Sequence, residues 1–173
     1  MSAQTTYNFS TPIGAAGGIV DLAPHAIDSF VNEENTGVMK FGVAVVTGTK
    51  AGKQVKLPAD GATAATFEGI VTNRRTTEYD LEGDIHIRKA AALGVMKYGR
   101  IYGRLATGAD PAYGKAVYFI AGGDEAGYFT DAADNGETGN DKVDNVAVKA
   151  RFMGAADATT NVAEIELFNQ AQV

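Results

Sequence analysis

Short strand-like segments separated by turn residues occupy most of the chain, and they restrict its fold more than any other feature. Most are rich in β-branched or aromatic residues, and turn residues such as glycine, proline, asparagine and aspartate separate many of them. The 21 glycines among 173 residues fit short strands joined by many turns. The segments are 26–31, 41–46, 53–57, 67–71, 83–87, 95–106, 115–120, 127–130, 146–153 and 162–168.

Helical patterns are scarce. Only IRKAAAL, residues 87–93, has the composition of one or two helical turns, and a helix so short is unstable without packing. Strands at intervals of about 10 residues favour antiparallel pairing over alternating strands and helices. The sequence therefore predicts an all-β fold, an antiparallel β-sandwich of jelly-roll type or a small barrel.

The two ends of the chain differ in composition. Residues 1–20 carry no charged side chain and include three glycines, which is typical of an extended N-terminal arm. Residues 21–173 are long enough to form a single β-rich domain with its own core. Within the arm, Tyr7, Phe9 and Ile13 are candidate contact residues, expected to become ordered only against a partner.

Acidic residues concentrate in one segment, 121–145, which is predicted to contain a long acidic surface loop. Between Ala121 and Asp144 lie seven acidic residues and one lysine, a net charge of −6. The remainder balances 14 basic against 14 acidic residues. A surface with so little positive excess does not favour nucleic-acid binding, and no segment approaches the roughly 20 apolar residues of a membrane span.

The chain offers little material for catalysis or for a cofactor. It has no cysteine, two histidines that are distant in sequence, and three serines without a nucleophile motif. The segment 48–54 lacks the glycine spacing of a phosphate loop and predicts a lysine-bearing hairpin. A calcium loop starting at Asp131 fails because Lys142 stands where a bidentate glutamate is required. We therefore expect no enzyme activity, no cofactor and no metal site.

The segment VMKYGRIYGRLA, residues 95–106, holds the best candidates for binding. Strict strand alternation places five side chains on one face, namely Met96, Tyr98, Arg100, Tyr102 and Arg104. Such a face suits stacking on single-stranded nucleic acid, contact with another protein, or plain exposure to solvent. Tyrosine, arginine and methionine are together enriched at protein interfaces, so we predict a protein contact in which the guanidinium groups meet carboxylates of a neighbour. Alanine at Arg100 and Arg104 is then expected to weaken binding while leaving the thermal midpoint nearly unchanged.

The order of several segments resembles the head decoration or cement proteins of tailed bacteriophages. The resemblance rests on AIDSFVNEENTGVMKFGVAVV, FEGIV, GVMKYGRIYGRL, DPAYGKAVYFI, GYFT, ARFMGAAD and AEIELF, which together cover most of the chain from about residue 19. It implies a non-catalytic β protein of the virion that binds the outside of an expanded capsid, assembled in the host cytoplasm. The implied partners are the major capsid protein and other copies of the chain, as trimers or dimers.

A second interpretation from the residues stays open at this point. Exposed tyrosines and the acidic segment also suit a carbohydrate-binding or host-attachment β module, in which calcium helps to hold a sugar.

Overall fold

The computed structural model describes residues 14–73, 78–79, 85–136 and 143–168, and within them it is all-β. A single 3-10 turn, Ala64–Thr66, precedes the fourth strand. None of the described residues belongs to a helix with the length and apolar character needed to span a membrane. The strands are β1 Ala26–Asn32, β2 Ala44–Thr47, β3 Gln54–Lys56, β4 Phe67–Val71, β5 Glu78–Tyr79, β6 Ile85–His86, β7 Ala92–Arg104, β8 Ala116–Phe119, β9 Phe129–Thr130, β10 Val146–Phe152 and β11 Val162–Leu167.

Most of these strands lie where the sequence predicts them. Two begin later than expected because Gly42 and Gly127 adopt positive φ angles of 74° and 82°, which form turns instead of extended chain. The 87–93 segment is not helical: a turn at 89–90 leads directly into β7 at Ala92. The lysine-bearing segment 48–54 connects β2 to β3 as an antiparallel hairpin, as predicted.

Nine strands form one sheet, in the order β1-β3-β2-β4-β7-β11-β10-β8-β9. Strand β1 also pairs with β7, so that β1, β3, β2, β4 and β7 close into a five-stranded barrel. The β1–β3 pair is parallel, and the other pairs of this sheet are antiparallel. The prediction of an all-β fold with a small barrel is confirmed.

The 13-residue strand β7 belongs to both halves of this sheet and separates two hydrophobic clusters. Each of the five barrel strands contributes to the first cluster, which fills the barrel with Phe30, Val45, Val55, Val71, Leu93 and Val95 among others. The second cluster lies between the outside of the barrel and the β8–β11 sheet. It includes Ile70, Met96, Ile101, Phe119, Phe152 and Ile165, and the rings of Phe67 and Phe119 stack there with centroids 5.6 Å apart.

Strict alternation along β7 fails at Gly99. Met96 and Ile101 are an odd number of positions apart, yet both are fully buried in the second cluster. Gly99 has a φ of +120°, and the register of β1 against β7 shifts beside it, at Ala26 and Ile27. This irregularity exchanges the two faces of the strand. The expectation that Met96 shares a face with Arg100 is therefore wrong.

The last residues of the predicted arm are part of the folded domain. The amide of Gly17 donates to the carbonyl of Tyr102 (2.8 Å), the amide of Tyr102 donates to Gly18 (3.0 Å), and the amide of Val20 donates to Arg100 (3.2 Å). These bonds extend the sheet along the edge of β7 that β11 leaves open. Tyr7, Phe9 and Ile13 lie outside the described residues.

The acidic segment is more ordered than a single loop. It contains β9, and the amides of Asn135 and Asn145 donate to the carbonyls of Val143 (3.1 Å) and Ala133 (2.9 Å). We call the segment 131–145, described on either side of 137–142, the acidic hairpin. Lys115 Nζ donates to Asp131 Oδ2 (2.7 Å) at its base, and this bond lowers the pKa of Asp131 below its ordinary value.

Candidate protein-contact surface

A row of charged side chains crosses the outer face of β7, β11 and β10. In the sheet register, Glu166 lies opposite Arg100 on one side and Arg151 on the other. Glu166 Oε1 accepts from Arg100 Nε (3.3 Å), and Glu166 Oε2 accepts from Arg151 Nε (2.6 Å). We call these three residues the Arg–Glu–Arg row, which ties three strands together across the sheet.

Arg100 has further carboxylates within its own chain. Its Nη1 lies 3.8 Å from Asp21 Oδ2 and 3.7 Å from Glu164 Oε1. Burial disfavours the charged form of Arg100, but the bond to Glu166 and the three nearby carboxylates outweigh it and raise the pKa above its ordinary value. Arg100 therefore meets three carboxylates of its own chain, and its contact with a neighbour stays a prediction.

Tyr102 is covered by the end of the arm. A side chain at Gly14 would collide with the Tyr102 ring, and Gly18 also lies against that ring. Burial raises the pKa of Tyr102, with smaller contributions from the negative charges of Glu164 and Asp21. Gly14 and Gly18 therefore both pack against the Tyr102 ring.

Three exposed aromatic side chains lie beside this row. Tyr98 and Phe168 are each 42% exposed, and they are neighbours because Leu167 pairs with Gly99 in the β11–β7 register. Tyr113, in the loop before β8, is 68% exposed. The guanidinium of Arg151 lies 5.7 Å from the Phe168 ring centroid and 5.8 Å from that of Tyr113. We call Tyr98, Tyr113 and Phe168 the aromatic patch.

The sequence singled out only part of this patch. Tyr98 was a candidate from the start, and the alternation of 162–168 put Phe168 on the face of Glu164 and Glu166. Tyr113 comes from an irregular loop whose position no local pattern predicts.

Arg104 lies at the other end of β7 in different surroundings. Its Nε is buried and has no hydrogen-bond partner, and its guanidinium carbon lies 5.8 Å from the Tyr128 ring centroid. Lys40 Nζ lies 5.4 Å from the same centroid and donates to the Tyr128 hydroxyl (2.9 Å). The structure therefore places Arg100 and Tyr102 near the same two carboxylates, Asp21 and Glu164. Arg104 lies instead with Tyr128.

Titratable groups elsewhere do not form a metal centre in the part of the chain that the structure describes. No group of three or more histidine or acidic side chains is placed to hold an ion there. His25 Nδ1 lies 2.9 Å from the carbonyl oxygen of Ala23. The ring of His86 lies beside Gly37. The exposed groups best suited to function in the described residues are those of the contact surface.

Comparison with known proteins identifies the group to which this β fold belongs. A family model described as "Structural cement protein (E217 gp24/Pam3 gp6)" matches residues 3–168. The chain belongs to this family. It is therefore a phage capsid cement protein, and the resemblance found in its sequence is confirmed. The family is structural, which agrees with the thin catalytic inventory of the chain.

A solved structure has the same fold. A chain from "The capsid of Myoviridae Phage XM1" superposes with a TM-score of 0.66 at 22% sequence identity, covering 96% of this cement protein and 98% of that chain. At this identity the likeness concerns the fold. No curated protein sequence matches the chain significantly.

Proposed function

We propose that this cement protein binds the outer surface of the phage head and links neighbouring major capsid subunits through the aromatic patch. The observation that supports the proposal most strongly is the exposure of Tyr98, Tyr113 and Phe168 around the Arg–Glu–Arg row. Tyrosine, phenylalanine and arginine are enriched at the anchors of protein interfaces.

The row makes the patch suitable for tight contact. Because Glu166 holds Arg151 at 2.6 Å, the guanidinium is fixed before it meets a partner. The rings that stack on it have little conformational freedom left to lose on binding. The affinity of each single contact can be modest, because a protein that bridges several capsid subunits binds more tightly than any one of its contacts would alone.

The arm adds a second contact in this proposal. Residues 14–18 are held on Tyr102, two positions from Arg100 on β7. Tyr7, Phe9 and Ile13 remain predicted contact residues, and contacts between copies, as trimers or dimers, remain part of the proposal.

Binding to particles tests the proposal. We expect Tyr98→Ala with Phe168→Ala to weaken attachment to cement-free capsids by on the order of 2 kcal/mol, because both rings act as anchors. Attachment is measured as copies per particle at increasing protein concentration. Lys53→Ala, in the exposed turn before β3, is the control and is expected to bind normally. Normal occupancy by the double variant would exclude the aromatic patch as the contact.

A further inference from the structure

Four lysines lie together at one end of the barrel. The lysine-bearing β2–β3 hairpin supplies three of them, and the turn before β7 supplies the fourth. The end of β1 joins these segments, because the amide of Glu33 donates to the carbonyl of Val55 (3.0 Å) and the amide of Ala90 donates to that of Asn32 (2.8 Å). We call this group the lysine cluster: Lys50, Lys53, Lys56 and Lys89.

Two glutamates lie among these lysines, and both already accept hydrogen bonds from the backbone. Glu33 Oε2 accepts from the amide of Thr49 (2.6 Å), and Glu34 Oε1 accepts from the amide of Leu57 (3.0 Å). The hydrogen bonds of Thr49 lower the pKa of Glu33, with a smaller contribution from two of the lysines. These acids therefore brace the ends of the β2–β3 hairpin.

The lysines themselves are left without ion pairs. None of the four lies within ion-pair distance of a carboxylate in the part of the chain that the structure describes. Lys89 Nζ donates to Asn35 Oδ1 (3.1 Å), which is a neutral acceptor, and Lys50, Lys53 and Lys89 are exposed. Four lysines against two glutamates leave a positive surface on a chain whose net charge is −6.

The residue type indicates what the lysine cluster binds. Lysine is depleted at protein interfaces, which are enriched in arginine and aromatic residues such as those of the aromatic patch. The ammonium group is a point charge on a flexible stem, and it is a common binder of phosphate. Several such charges side by side attract a chain of phosphate groups and release its counterions. The cluster therefore fits a polymer that carries phosphate better than it fits a folded protein.

The lysine cluster lies away from the aromatic patch. Strand β7 pairs with β1 and β4, whereas β2 and β3 close the barrel on the opposite side. Lys89 comes before the first residue of β7, Ala92, and Tyr98 follows Ala92 by six residues, about 20 Å along a strand that rises roughly 3.3 Å per residue. A protein that binds through its aromatic patch therefore leaves the lysines uncovered.

We propose that the lysine cluster binds the phosphate groups of an anionic glycan on the surface of the host cell. The inference rests on the proposed function, which places the aromatic patch against the shell and so turns the β2–β3 side outward. Packaged DNA lies inside the shell, so the phosphate polymers that the outer surface meets are those of the cell. Many copies on one head present the cluster repeatedly, and weak single contacts add up.

Two variants of the full chain, matched in net charge, test this inference. The cluster variant replaces three exposed lysines of the cluster: Lys50→Gln, Lys53→Gln and Lys89→Gln. The charge control replaces three exposed lysines elsewhere: Lys40→Gln, Lys115→Gln and Lys149→Gln. The probe is a vesicle that carries lipopolysaccharide, used with its phosphates intact and after phosphatase treatment. Double-stranded DNA and polyglutamate serve as competing polyanions.

We expect the unmodified chain to bind the intact vesicles at about 150 mM salt and to lose most of this binding at about 500 mM, because salt screens the charges. The cluster variant is expected to bind about tenfold or more weakly. The charge control binds clearly better than the cluster variant, since distant charges are screened at about 150 mM salt. Phosphatase treatment lowers the binding of the unmodified chain to the level of the cluster variant.

Three results would overturn the inference: an unmodified chain that does not bind the intact vesicles, a cluster variant that binds as well as the unmodified chain, or a charge control that loses as much as the cluster variant. Stronger binding to polyglutamate than to the vesicles would assign the cluster to an acidic protein surface. Stronger binding to DNA would assign it to nucleic acid. Both of these outcomes also overturn the inference.

Occupancy on cement-free capsids separates this inference from the proposed function. The cluster variant is expected to occupy particles normally, because its three lysines lie away from the aromatic patch. Loss of occupancy would place the lysines against the shell and would overturn the outward-facing cluster. Normal occupancy by the aromatic-patch variant would overturn the proposed function instead, and it would leave the vesicle measurements on the free chain unchanged.

Discussion

Arg100 and Arg104 stand four residues apart on β7 and show two uses of the same side chain. Arg100 is surrounded by Asp21, Glu164 and Glu166 of its own chain. Arg104 has a buried Nε without a hydrogen-bond partner, and its guanidinium carbon lies 5.8 Å from the Tyr128 ring centroid. The first arginine is paired within the protomer, whereas the Nε of the second has no hydrogen-bond partner there.

The neighbouring strand decides which outcome each arginine has. In the β7–β11 register Arg100 faces Glu166, but Arg104 faces Val162, which is 1% exposed and offers no acceptor. The acidic cross-strand neighbour thus pairs Arg100 within the sheet, whereas the apolar neighbour of Arg104 gives it no such pair.

The largest expected effect on stability comes from a substitution at Gly99, where the alternation of β7 is interrupted. We expect Gly99→Ala to destabilise the protein by about 2 kcal/mol or more, because φ is +120° there and a side chain would meet His25. The free energy of unfolding in urea measures it. Gly108→Ala is the control: φ is +79° but nothing lies within 4 Å of its added carbon, so strain alone operates. Equal losses in both variants would mean that Gly99 is not a packing constraint.

Much of the fold follows from local patterns in the sequence. The alternation of 162–168 predicts both β11 and its buried side, with Ile165 and Leu167 inside. Turn residues mark most of the strand ends. Strand position and buried side depend on residues that are close in sequence, so the period-two alternation of apolar residues predicts them.

The candidate site depends on distant parts of the chain, which limited its prediction. Alternation fails near Gly99, where a side chain would meet His25 and where the register of β1 shifts, and both partners are distant in sequence. Lys40 and Arg104 meet at Tyr128 only after the barrel and the β8–β9 turn have packed together. Sequence reasoning therefore found Arg104 as a candidate but missed Lys40 and Tyr128.

A smaller and pH-dependent effect is expected at the base of the acidic hairpin, where Lys115 satisfies Asp131 as Glu166 satisfies Arg100. The pKa of Asp131 is lowered in the folded state, so its contribution is complete above the ordinary pKa of about 4 and is lost as pH falls through the lower value. Because solvent screens the exposed Lys115, this pair contributes little to stability. We expect the difference in thermal midpoint between Asp131→Asn and the unmodified protein to be constant above about pH 5 and to shrink below about pH 4.

Asp124→Asn is the matched control for this titration, because Asp124 is exposed and makes no ion pair with the described residues. Its difference from the unmodified protein is expected to stay near zero at each pH. A constant difference for Asp131→Asn down to about pH 2 would contradict the role of the Lys115 bond.

The most direct test of the division of labour along β7 compares Arg100→Gln with Arg104→Gln in one experiment. Urea unfolding and occupancy on cement-free capsids are measured for both. We predict that Arg100→Gln is less stable than the unmodified protein and still occupies particles normally, since Arg100 has three carboxylate partners in its own chain. Arg104→Gln is predicted to be as stable as the unmodified protein, or more so, and to occupy particles less well. The opposite result, a destabilised Arg104→Gln with normal occupancy, would show that Arg104 serves the fold and would contradict the account.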